Sequence, residues 1–140
     1  MLSWFSPQRT DYKINYEDVQ KCRGSYLIIN TLPIEEQNCL IVGTIPATQE
    51  AKRVNELLSK NTSTTIIIYG KNCNDETVST KYNQLSKLGF TQVYVYQGGL
   101  FEWLLLQDIY GKDEFPTTTQ ELDILKYKPA KILSYDLATI

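Results

Sequence analysis

"IIIYGKNCNDETV", Ile66 to Val78, is the stretch on which the fold turns. Ile66–Tyr69 is an unbroken apolar run rich in β-branched residues, so it reads as a buried strand. The run stops at Gly70, a polar loop follows with Cys73 inside it, and a helical pattern takes over near Thr77. Strand, loop and helix in that order set Cys73 one short step before a helix N-terminus. Two readings stay open for that thiol: a nucleophile held at the helix start, or a loop cysteine without chemistry.

Working outward, the same alternation recurs. Strands are expected at Leu27–Ile29, Leu40–Val42, Thr65–Tyr69 and Val93–Tyr96. Between them, Ala51–Ser59 gathers Val54, Leu57 and Leu58 on one helical face, and Thr77–Leu88 does the same with Val78, Tyr82, Leu85 and Leu88. Gly89 stands where a left-handed helix C-cap is wanted. Ile14–Gln20 reads as a short opening helix whose first turn Asn15 can cap. Runs that alternate in this way build βα units around a mostly parallel sheet covered by amphipathic helices, so the expected fold class is α/β.

The chain has 140 residues, 42% of them apolar, which suits one domain, residues 1–140, with a real core. Its formal charge of −2 is spread without a basic stripe, so no nucleic-acid partner is expected. No apolar run approaches the roughly 20 residues that span a bilayer, so no membrane partner is expected either. The three cysteines, Cys22, Cys39 and Cys73, are irregularly spaced with no CxxC pair, and no signal-peptide pattern opens the chain. These features predict a reduced, intracellular, cytoplasmic setting. Histidine is absent, which removes Ser-His-Asp and Cys-His catalysis and any imidazole base. Cys22 and Cys39 read as small packing groups without metal-ligand spacing, so neither metal nor cofactor is implied.

Several local patterns then fall into one order. "INYEDVQ" (14–20), "YLIIN" (26–30), "VGTIPAT" (42–48), "IIIYG" (66–70), "LSKLGFTQVYVYQGG" (85–99) and "EFPT" (114–117) follow one another, with Trp103 shortly after Gly99. In that order and spacing the chain resembles a single rhodanese-like domain over residues 14–117, leaving 1–13 and 118–140 as terminal extensions. The resemblance implies the three-layer fold, and sulfurtransferase chemistry as the family's usual activity.

The resemblance also marks departures. The family's nucleophilic cysteine directly follows the strand, and Gly70 stands in that place. The loop is longer than usual, which sets Cys73 deeper within it. The family's loop arginine is absent, its neighbourhood being "NDET" (74–77). The acid and arginine of the first strand correspond to Asn30 and Leu32, and the histidine of the "GHIPGA" element to Thr44. A persulfide-carrying cysteine needs converging N–H groups, a helix N-terminus and often a cation. Here Asp75 and Glu76 bring two carboxylates to that first turn, where they complement the helix dipole and repel incoming anions. Lys71 is the loop's one cation, a modest substitute for an arginine fork.

The candidate site is therefore Cys73 as a possible nucleophile within an anion or substrate loop of Gly70, Lys71, Asn72, Asn74, Asp75, Glu76 and Thr77. The expected function is a rhodanese-like binding or regulatory module lacking ordinary thiosulfate sulfurtransferase activity. The alternative is a sulfurtransferase carrying a persulfide on Cys73, and a third reading is a phosphatase-like enzyme, which would need an arginine clamp. The expected partner is another protein. It would dock on the helix Leu100–Tyr110, apolar on nearly every side, through Phe101 or Trp103, or else on the terminal extensions.

Overall fold

The computed structural model describes residues 11–22 and 26–133. Four strands, β1 (Lys13–Ile14), β2 (Leu27–Asn30), β3 (Ile66–Tyr69) and β4 (Val93–Tyr96), form a sheet of order β1-β4-β3-β2. Every pairing is parallel, with Ile66 of β3 opposite both Leu27 and Val93. The helices are α1 (Tyr16–Cys22), α2 (Ala47–Lys60), α3 (Glu76–Leu88) and α4 (Gly99–Tyr110), with 3₁₀ turns at Ile34–Glu36 and Ile124–Tyr127.

All four residues of β2 and of β3 are buried, because a parallel sheet is covered on both faces. Strand alternation sorts their side chains. Ile28, Ile67, Tyr69 and Tyr96 point to one face and meet Val19 of α1 and Leu100, Trp103 and Leu104 of α4. Leu27, Ile29, Ile66, Ile68, Val93 and Val95 point to the other and meet Val54 and Leu57 of α2 and Val78 and Leu85 of α3. The architecture is the three-layer α/β arrangement expected.

Several boundaries shift. Leu40–Val42 is not a strand of the sheet. Leu40 and Ile41 are buried, but their pairing is one antiparallel bridge between Ile41 and Thr117, at the start of the returning C-terminal segment. Gly43, at φ 99°, turns the chain away immediately afterwards. The first strand is instead Lys13–Ile14, too short to show a period and defined by pairing with Val95 and Tyr96. The opening helix therefore starts at Tyr16, and Asn15 caps it: its Oδ1 accepts from the N–H groups of Glu17 at 2.9 Å and Asp18 at 3.3 Å. α2 begins four residues before Ala51, at Ala47, because its first turn is polar and apolar spacing cannot reveal it. Gly89 does take the left-handed cap, φ 116°, and its N–H reaches the carbonyls of Leu85 and Ser86.

The described part of the C-terminal extension folds back onto the domain. The Thr118 and Thr119 hydroxyls donate to Asn38 O, and the Tyr127 side chain is buried in the Trp103 face of the core. The segments 1–10 and 134–140 lie outside the described residues.

Candidate functional site

The loop from Gly70 to Asp75 leaves the C-terminal end of β3, where a parallel α/β sheet offers its crevice. α3 follows on one face of the sheet, while the next strand, β4, sends α4 to the other. The two loops meet in between. Gly70 O accepts from Leu100 N at 2.9 Å, and Lys71 O from Phe101 N at 3.0 Å, so first-turn amides of α4 are occupied by loop carbonyls. Gly99 permits this approach: its φ is +67°, and a Cβ there would lie 2.7 Å from Gly70 O. On the far side the Gln97 side chain donates to Cys73 O at 3.0 Å.

Asp75 organises the interior of the loop. As N-cap of α3 it accepts the Thr77 N–H on Oδ1 at 3.1 Å, together with the Thr77 hydroxyl at 2.5 Å. Its other oxygen, Oδ2, turns inward and accepts the Lys71 N–H at 2.9 Å. Thr77 Oγ1 lies 2.8 Å from Thr31 Oγ1, which ties the cap to the end of β2. The Lys71 and Thr77 amides are thus satisfied by a carboxylate of the chain itself.

Gly70 has no room for a side chain. A Cβ would sit 2.5 Å from both Asp75 Oδ2 and Val78 Cγ2, and 2.9 Å from Thr31 Oγ1. Lys71, the loop's cation, is engaged as well: Nζ lies 3.0 Å from Glu36 Oε1 of the first 3₁₀ turn.

Asn72 is the loop's buried polar side chain. Its Nδ2 donates to Tyr127 O and its Oδ1 accepts from Asn74 N, both at 2.9 Å, while its own carbonyl accepts from Asp75 N. Cys73 points the other way. It is exposed, and its Sγ contacts Asn74 Oδ1 at 3.7 Å. Cys73 stands at a cleft of about 690 Å³ that includes Tyr12, Asn74, Glu76, Tyr82 and Gln97 in its lining. Glu76 is exposed in the first turn of α3. The structure therefore interlocks Gly70, Lys71, Asn72, Asn74, Asp75 and Thr77, holds Cys73 through its carbonyl on Gln97, and leaves the Cys73 thiol and Glu76 exposed.

Thr44 and Asn30 make hydrogen bonds within the domain. Thr44 Oγ1 lies 2.7 Å from the Tyr69 hydroxyl, which also accepts Ile41 N–H at 3.1 Å. Burial pushes the Tyr69 phenol well above its ordinary range, with these hydrogen bonds opposing the rise. Asn30 Oδ1 accepts Leu32 N–H at 3.0 Å and closes the turn after β2. Trp103 is fully buried, its Nε1 donating to Pro116 O and its ring edge-on to Tyr96 and Phe115, so it offers no surface to a partner. Phe101 is partly buried against the same core; the exposed apolar groups of α4 are Leu105, Ile109 and Tyr110.

Gln97, Glu36, Thr31 and Tyr127 take part in the site without having been singled out in the sequence. Gln97, directly before the Gly98–Gly99 pair, had a positional cue; the other three are brought in by tertiary contacts alone. Among the described residues no helix is long and apolar enough to cross a membrane.

The rhodanese-like domain family matches this sequence over residues 23–106. No curated protein matches it. Among solved structures, the Alr3790 protein from Anabaena sp. is similar at 22% identity and a TM-score of 0.56, covering 81% of this chain and 97% of that one. The solution structure of the rhodanese-like domain of Alr3790 gives 24% and 0.56, covering 89% of each chain. A full-length protein from Lactobacillus plantarum gives 21% and 0.53, covering 78% of this chain and 88% of its own. At such identities these structures speak for the fold. The family match spans more than half of the chain, over the strands and helices that build the loop, and the chain accordingly belongs to the rhodanese-like domain family.

Proposed function

We propose that this chain is a rhodanese-like binding or regulatory module without thiosulfate sulfurtransferase activity. The observation that carries the reading is the inward carboxylate of Asp75, which accepts the Lys71 and Thr77 amides. A persulfide formed in the loop would be an anion in need of those same donors, beside a charge of its own sign. Gly70 supports the reading independently, because the space for a nucleophile directly after β3 is taken by Asp75, Val78 and Thr31. The pairing of Lys71 with Glu36 leaves the loop without a free cation. A phosphatase-like reaction faces the same obstacle. A protein partner would meet the outward side of α4, where Leu105, Ile109 and Tyr110 are exposed.

One observation favours the alternative of a persulfide on Cys73: the thiol is exposed at the cleft. Incubation with thiosulfate and cyanide, read by thiocyanate release and by intact mass, separates the two. The expected result is neither turnover nor an added sulfur atom. A stable persulfide on Cys73, with turnover abolished in Cys73→Ser, overturns the proposal.

A further inference from the structure

Asn72 joins two segments far apart in sequence. One is the loop around Cys73; the other is the C-terminal strap, residues 118–133, which crosses the Trp103 face and brings Tyr127 O to the Asn72 amide. Asn72 is buried and its side chain is used at both ends, Nδ2 on Tyr127 O and Oδ1 on Asn74 N. Losing either bond while the site stays closed leaves a buried polar group unpaired, which costs more than the bond's net contribution. The start of the strap is tied down, Thr118 and Thr119 bonding to Asn38, Cys39 and Leu40, but from residue 120 onward it is lightly held. There Tyr127 is the one buried side chain, with Ile124 packed partly against the same core, while Leu122 and Leu125 before it and Ile132 and Leu133 after it are 61–84% exposed. Segments with few buried apolar contacts open locally at low free energy.

We propose that the strap and the loop Gly70–Asp75 open and close as one cooperative unit, with Asn72 as the positioning residue that couples them. When Tyr127 leaves the core, its carbonyl leaves Asn72 Nδ2, and the side chain that holds Asn74 N loses its anchor. The change passes directly to Cys73 and Asn74, at the cleft. Coupling of this kind is reciprocal: whatever stiffens the loop from the cleft also seats the strap. The inference concerns loop conformation and stands whether or not the loop transfers sulfur.

Hydrogen exchange on the full chain tests this, with each variant read at the segment it does not touch. Tyr127→Leu, which keeps most of the apolar burial, is expected to raise exchange at residues 71–77 by about fivefold or more. Asn72→Ala is expected to raise it by a similar factor at residues 124–128. In both, Ile66–Tyr69 keeps its protection. Changes confined to the mutated segment overturn the proposal, and so does an equal rise throughout β3, which would report global loosening rather than a local unit.

Discussion

An ideal Cβ on Gly70 falls 2.5 Å from Asp75 Oδ2, so the residue after β3 and the cap of α3 compete for one volume. On the function proposed above, that exclusion is what keeps a nucleophilic side chain out of the position directly after β3.

Gly70→Ala is expected to destabilise the domain by about 1–3 kcal/mol, the usual range for overpacking a filled site. Urea unfolding of Gly70→Ala, Asp75→Gly and the double variant measures the competition. If the two sites share the volume, the double variant loses less stability than the two singles added together.

Asp75→Ala removes the cap and the inward acceptor together, with an expected cost of roughly 1–2 kcal/mol. It also frees the Lys71 and Thr77 amides. Millimolar sulfate is therefore expected to raise the melting temperature of Asp75→Ala more than that of the parent, because the vacated donors face an anion. An identical response in the two proteins would show that the amides do not converge without Asp75.

Thiol labelling in the native state is expected to be sequential. Cys73 is exposed and should react first, while Cys39, 1% exposed with its Sγ on Thr119 O, should wait for unfolding. Cys22 is expected to lag Cys73, because burial, then the nearby Asp18 carboxylate, raises its thiol above the ordinary value and lowers its thiolate fraction at a given pH. Peptide mapping of a labelling time course reads the order.

On α4 the two faces should part company. Trp103→Ala is expected to cost about 3–5 kcal/mol, since it empties the contact with Tyr96 and Phe115. Ile109→Ala, at a side chain 69% exposed, should stay within about 0.5 kcal/mol. Thermal denaturation of both variants checks the contrast.

Much of this was written locally in the chain. The apolar run Ile66–Tyr69, the stripe of α3 and the glycine after it each carry their own signal, and each forms where expected. What failed to show was set by distant contacts. Lys13–Ile14 is a strand only because Val95 and Tyr96 lie beside it, and Leu40–Val42 has strand composition but reaches Thr117 instead of the sheet. In the loop, "NDET" announces a helix cap, and Asp75 is one. Nothing in those four letters says that its second oxygen turns back to Lys71, or that Tyr127 supplies the partner of Asn72. Trp103 and Phe101 could be told apart only after the sheet had chosen a face for α4.

The pairing of Lys13 with Val95 has a bearing on biogenesis. As the chain emerges from a ribosome, β2, β3 and β4 can dock one after another in order of synthesis, each beside its predecessor. The amino-terminal strand must wait for the fourth to appear, so β1 stays unpaired until late in translation. A nascent chain arrested before Val95 would lack this closing seam altogether, and its protease sensitivity at Lys13 should persist until that residue clears the exit tunnel.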